Sequence, residues 1–407
     1  MVAKWANFRT VLHNRQYMYW LFSANVASVG YSVYAISIVW LAYTLSRSYF
    51  IVGLVLFAET ATYAATFLVA PVVDRIHNQR TIYLVCYPVQ ALAAATIALG
   101  TERHFLTIPE LLSLVILISA LWDLSWAAYN AAPAILLSKD ELFAAEGVGS
   151  ILGGANSIMG YASGGVLILF VGAYGGMYLY AALLGVGALL AIPLLIHPGL
   201  KVRPSFWGSF VDGWRTIANE PGKPLLQLAS MDAVRGFFSS APALFITLFS
   251  VARFATSGEA YSILFVADVV GGVMAGVALG FLNPRSKTGL IMVGSLFASG
   301  LIFAVLGEMP ALLFLVGTGW LLAGFTTSSY TDAKYTFLRG SVDRDRLGRV
   351  TSNLYLFPGV SSAVGALVLG FFANTTGPLT FGLVVGAGFL IAGLLGVVLP
   401  GVRALRF

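Results

Sequence analysis

LVLFAETATYAATF, residues 54–67, is apolar or small at nearly every position and carries one carboxylate, Glu59, near its middle. It belongs to a run over 48–73 that never alternates apolar and polar positions, so it does not read as a barrel strand. A bilayer-spanning helix is the reading, at about 20 apolar residues per crossing. The whole chain repeats this pattern: of 407 residues 58% are hydrophobic and 10% charged, with a mean hydropathy of +0.87. That composition excludes a soluble domain, whose surface would hold far too much apolar area against water. The fold class expected is an all-α membrane protein with twelve spanning segments, near 17–44, 48–73, 81–100, 109–137, 144–171, 176–196, 225–251, 259–281, 289–306, 310–337, 350–372 and 380–400.

Of the 23 basic residues, all but five fall in alternate connections on one side of these segments. The exceptions are Arg47, Arg103 and Arg253 on the other side, and Arg235 and Lys334 inside segments. Basic residues collect on the cytoplasmic side, so both termini are expected there, in a cell membrane. The same excess faces anionic lipid and explains the pI near 9.3 without a nucleic-acid partner. The basic start MVAKWANFRTVLHNRQ runs straight into a long apolar segment, so the first segment itself serves as the membrane signal. Cys86 is the only cysteine, which rules out an intramolecular disulfide and a cysteine-based zinc cluster. The sequence has no HExxH, GxxxxGK[ST] or GxSxG pattern, so no enzyme, metal site, cofactor or ATP drive is expected.

The chain divides into 1–196, a linker 197–224 and 225–407. In the linker Phe206, Phe210 and Ile217 recur at helical spacing, which reads as an interfacial helix. The two outer parts are repeats: PELLSLV (109–115) matches PALLFLV (310–316), an offset that pairs Tyr129 with Tyr330. A second offset pairs Asp140 with Asp345, Leu142 with Leu347, Gly160 with Gly365 and Gly165 with Gly370, and LFAET (56–60) lies over FVADV (265–269). Glu59 therefore has a counterpart, Asp268. Two six-helix halves are an organisation of secondary transporters, whose sites lie at mid-membrane.

SVGYSVYAISIVWLAYTLSRSYFIVGLVLF (28–57), APVVDRIHNQR (70–80), AAPAILLSKDELFAAEGVGSILGGANSIMGYASGG (131–165) and DRLGRVTSNLYLFPGVSSAVGALVLG (345–370) resemble the major facilitator superfamily, especially its prokaryotic branch of drug, macrolide and siderophore exporters. The resemblance implies a conformational latch at Asp74, Arg75 and Arg80, in the loop after the second segment. Ala70 stands where the family has glycine, and His77 to Gln79 are less basic than its pattern. A carboxylate near a helix N-terminus and close to guanidinium groups is physically favoured.

Ionisable residues at membrane depth are costly unless they face protein or water, so the segments that carry them should line a cavity. Glu59 lies about 22 Å along a helix from Asp74, near the bilayer centre. With Asp123 and Asp268 it is a proton-coupling candidate, because burial penalises the charged carboxylate; a protonated packing carboxyl is the alternative. Asp232 and Arg235 stand three apart and can pair, or Arg235 can be released to an anionic substrate. Asp332 and Lys334, near the cytoplasmic end of the tenth segment, read as snorkelling. Trp122, Trp126 and Tyr129 share one helix face, and with Tyr31, Tyr34, Phe237, Phe238, Trp320 and Tyr330 suit a bulky apolar or aromatic substrate. Asn25 and Asn156 are substrate hydrogen-bonders or interhelical glue. Gly149/Gly153, Gly160/Gly164 and Gly272/Gly276/Gly280 mark close helix approach, either sliding or plain packing.

The expected function is a monomeric secondary transporter that moves a small amphipathic molecule by alternating access; proton coupling follows from the buried carboxylates together with the resemblance, and outward movement is what the resemblance implies. A nutrient or lysolipid importer, or a non-transporting receptor or scramblase on the same scaffold, is the alternative.

Overall fold

The computed structural model describes residues 13–64, 78–196, 206–219, 223–282, 288–342 and 344–403. It is all-α, with no strand among the described residues. The helices are α1 (Arg15–Ser46), α2 (Tyr49–Ala64), α3 (Arg80–Glu102), α4 (Ile108–Leu136), α5 (Lys139–Phe170), α6 (Ala173–Ala191), α7 (Phe206–Asn219), α8 (Pro224–Phe237), α9 (Ala241–Arg253), α10 (Gly258–Leu282), α11 (Thr288–Glu308), α12 (Leu313–Ser341), α13 (Arg344–Thr375), α14 (Pro378–Val398) and α15 (Pro400–Arg403). Among the described residues ten spans, one of them combining α8 with α9, are long and apolar enough to cross a membrane. Helices answer the bilayer's demand that each backbone N–H and C=O be satisfied within its own segment.

Two helices start earlier than their apolar runs for a local reason. At α4, Glu110 accepts from the Thr107 backbone N–H and hydroxyl, both at 2.8 Å. At α5, Glu141 accepts from the same groups of Ser138, at 2.9 and 2.8 Å. These are capping boxes, and they satisfy groups that a helix N-terminus otherwise leaves open. Gly172, at φ 100°, makes the tight turn between α5 and α6 that a residue with a Cβ adopts only under strain.

The chain groups into two compact units, Met1–Leu41 with Ala65–Arg203, and Ala42–Ala64 with Pro204–Phe407. In the first unit Gly160 lets α5 meet α1, since a Cβ there would overlap Ser32 and the Val29 carbonyl. In the second unit its repeat mate Gly365 does the same between α13 and α8, where a Cβ would overlap the Phe237 carbonyl. Gly272 packs on Ser328 of α12, whereas Gly149, Gly153 and Gly280 face open space. Residues 42–64 group with the second unit, where Gly53 of α2 crosses α13 against Ala366 and Gly370 and the Tyr49 N–H donates to Asn374 Oδ1 at 2.8 Å. The linker helix α7 lies on α13, with Ile217 fully buried and the Trp214 ring edge-on to Phe357 at 5.5 Å.

Candidate functional site

In the first unit the aromatic residues form a continuous ladder. Tyr31 of α1 stacks on Trp122 at 4.0 Å and 6°, Trp122 on Trp126 at 6.3 Å, Trp126 on Tyr129 at 4.8 Å, and Tyr129 on Trp20 of α1 at 4.9 Å. The i, i+4, i+7 spacing on α4 puts three of these rings on one face. Asp123, the next residue after Trp122 on α4, is buried. Tyr34 is fully buried, 5.6 Å from Tyr31 of the ladder and 5.1 Å from Tyr180, whose hydroxyl donates to Gln90 at 2.9 Å. Asn156 Nδ2 donates to Asn25 Oδ1, and Asn25 Nδ2 donates to the Leu21 carbonyl at 2.6 Å. The two asparagines therefore hold α5 to α1.

In the second unit the seventh predicted segment is not one helix but two. Pro242 has no N–H to give to the Phe238 carbonyl, and its ring crowds that oxygen. The chain responds with tight i→i−3 bonds, Phe238 N–H to Arg235 O at 3.0 Å, Ser239 N–H to Gly236 O at 2.9 Å and Ala241 N–H to Phe238 O at 3.1 Å. Phe238 packs at 6.4 Å from Phe389 of α14. Non-helical backbone at membrane depth is tolerated where protein or a cavity covers it.

Beside this break is a cluster of charges. Asp232 Oδ1 accepts from Arg235 Nε at 3.1 Å and from the Tyr330 hydroxyl at 2.9 Å, while Oδ2 accepts from Lys334 Nζ at 2.6 Å. Lys334 is thus a correction to the snorkelling reading: it is 4% exposed and reaches across to α8. The Arg235 guanidinium lies 4.8 Å over the Tyr330 ring. Two cations on one carboxylate leave the cluster one positive charge in surplus. Repeat mates have diverged here, Tyr129 supporting an indole and Tyr330 supporting a cation and its carboxylate.

Next to the cluster a cavity of about 300 Å³ is lined by Arg235, Ser239, Pro242, Ala243, Ile246, Phe265, Asp268, Thr327, Ser328, Thr331 and Phe389. Asp268 is placed by α10 crossing α12 at contact distance, Gly324 giving room for the Asp268 backbone and Gly271 for the Leu321 carbonyl. Glu59 is half-buried on α2. Trp320 is fully buried in an aromatic cluster, 5.5 Å from Phe245 and 5.9 Å from Phe303. Asp74 and Arg75 lie outside the described residues, and Arg80 opens α3, half-buried.

Lys334 as a partner and the hydroxyl wall of Thr327, Ser328 and Thr331 were not among the expected site residues. The signal was TTSSYTDAK (326–334), where Thr327, Thr331 and Lys334 fall at i, i+4, i+7 on a single helix face.

A family profile described as transmembrane secretion effector matches residues 3–404. A comparison with curated protein sequences returns no match. Among solved structures, a variant of the nucleoside transporter NupG superposes with a TM-score of 0.80 at 15% identity, over 95% of this chain and 100% of that one. A POT family transporter in complex with 5-aminolevulinic acid gives 0.75 at 12%, over 96% and 97%. At such identities the likeness is one of fold, a major facilitator fold, while the profile covers nearly the whole chain. The protein is a membrane transporter on the major facilitator scaffold, and it belongs to the transmembrane secretion effector family.

Proposed function

We propose that this transporter exports a small amphipathic molecule in exchange for protons, by alternating access, as a single chain in the cell membrane with both termini cytoplasmic. The observation that carries the reading is the cavity of about 300 Å³ that brings Asp268 and Arg235 to one space walled by both hydroxyl and apolar groups. That volume sits at the small end of ligand sites, and its walls join rings to a few charged and hydroxyl groups. The aromatic ladder of the first unit is, by itself, the kind of surface that suits apolar or aromatic molecules.

Ionised Asp268, Glu59 or Asp123 favours loading from the cytoplasm, and protonation from outside favours release. A proton can drive this only through the different affinities of the two states for it. Outward direction is supported by the family's secretion description and by the resemblance to exporters. Asp74, Arg75 and Arg80 are assigned the latch on the same resemblance.

The test uses proteoliposomes with an acidic lumen and amphipathic dyes of different charge, ethidium and rhodamine B. Wild type is expected to concentrate at least one dye, and the Glu59→Gln/Asp268→Asn double variant to lose the gradient-driven part. Full uptake by the double variant would move the coupling away from these two carboxylates. No uptake of any dye by wild type would end the export reading.

A further inference from the structure

The cavity beside the α8–α9 break is lined by groups of opposite charge. Arg235 lines it together with Pro242 and Ala243 of the first turn of α9, where the helix dipole adds partial positive charge. Asp268 and the Thr327 and Thr331 hydroxyls of α12 line it as well. Those hydroxyls have already spent their protons, Thr327 on the Ala323 carbonyl at 2.9 Å and Thr331 on the Thr327 carbonyl at 3.2 Å. What they offer a ligand is acceptor lone pairs.

Arg235 and Asp268 line the same space, yet the ion pairs formed by Arg235 and Lys334 both go to Asp232. Asp232 engages Arg235 through Nε and also accepts from Lys334 Nζ and the Tyr330 hydroxyl. The guanidinium therefore keeps donors in excess of what its own partner uses. A molecule with only a positive charge would meet the surplus cation of the Asp232 cluster, and one with only a negative charge would meet Asp268. A molecule carrying both, with a short apolar body, finds a partner for each charge.

We infer that this cavity takes a zwitterion of about amino-acid size, its carboxylate held at Arg235 and its ammonium at Asp268 and the Thr327 and Thr331 oxygens. Phe265, Phe389 and Ile246 enclose the apolar body. The inference rests on the export reading for its role and names the polar end of the molecule carried.

The test is binding to the purified full chain of three ligands that share one ring and differ only in charge: L-phenylalanine, L-phenylalaninamide and 3-phenylpropionate. Phenylalanine is expected to bind about tenfold or more tightly than either, since each analogue lacks one charge-assisted contact. Arg235→Gln should bring phenylalanine down to the level of the amide, and Asp268→Asn to the level of the acid. Arg235→Lys keeps a cation and should keep the preference for ligands that carry a carboxylate, which separates loss of charge from loss of fold. Equal binding of the three ligands, binding of none, or a zwitterion preference that survives both charge-removing variants would overturn the assignment. The dye assay scores export apart from this. Zwitterion preference without dye uptake keeps the site and removes export, whereas dye uptake without the preference keeps export and removes the site.

Discussion

Asp232 ties together the polar interior of the second unit, because three donors on two helices converge on it. Removing one member of a buried charge set costs about 3–5 kcal/mol, mostly from the charge left behind. Asp232→Asn strands two cations, so its thermal unfolding in detergent should move sharply down. Adding Lys334→Met removes one stranded cation, and the Asp232→Asn/Lys334→Met double variant should recover part of the loss; a double variant no more stable than the single would contradict this. The Asp232–Arg235 pair was legible from spacing alone, since three residues along a helix bring side chains together. Lys334 was not. A lysine near a helix end reaches water by default, and what keeps this one inside is a carboxylate 102 positions away in sequence.

At the scale of helices, close crossings and caps decide stability. A Cβ at Gly53 would sit 2.5 Å from the Ala366 carbonyl oxygen, while one at Gly185 would meet nothing within 4 Å. Gly53→Val should therefore destabilise by about 1–3 kcal/mol through overpacking, whereas Gly185→Ala should be neutral or slightly stabilising, because alanine is the better helix former. Equal shifts in melting temperature for the two would mean that α2 does not depend on this contact. At the start of α5, hydrogen bonds from the Ser138 backbone N–H and hydroxyl hold the Glu141 carboxyl below its ordinary value. A carboxylate lowered in the folded state lends stability above its ordinary range and loses it as pH falls through the lowered value. The stability gap between wild type and Glu141→Gln should accordingly be largest at neutral pH and shrink below the ordinary glutamate value of ~4.3. Helices were legible because a bilayer allows few alternatives to continuous apolar runs. The α8–α9 break was harder to read, since Pro242 lies in an otherwise unbroken apolar run and many membrane helices continue through a proline with only a kink.

For the molecule as a whole, the repeat is the strongest sequence signal, and it survives as matched roles in separate units: Gly160 and Gly365 each open a helix crossing. Its chemistry is not symmetric, because the second unit carries Asp232, Arg235, Lys334 and Asp268 while the ladder dominates the first. The cavity was legible only in part. Asp268 and Arg235 stood out as charges in apolar runs, but that they line one space follows from how α8, α10 and α12 pack, which no local pattern records. The distribution of basic residues predicts sidedness. In a Cys86→Ser background, Glu308→Cys should react with an impermeant maleimide in intact cells, and Ala218→Cys only after permeabilisation; the reverse pattern would invert the topology. The stacked rings of α4 have a further, optical consequence. Indoles as close as Trp122 and Trp126, with centroids 6.3 Å apart and planes 21° from parallel, couple their strong short-wavelength transitions, so the protein should show an exciton couplet on the indole band of its far-ultraviolet circular dichroism. Any ligand or conformational step that parts these rings would extinguish that couplet, and the transporter would report its own cycle without a label.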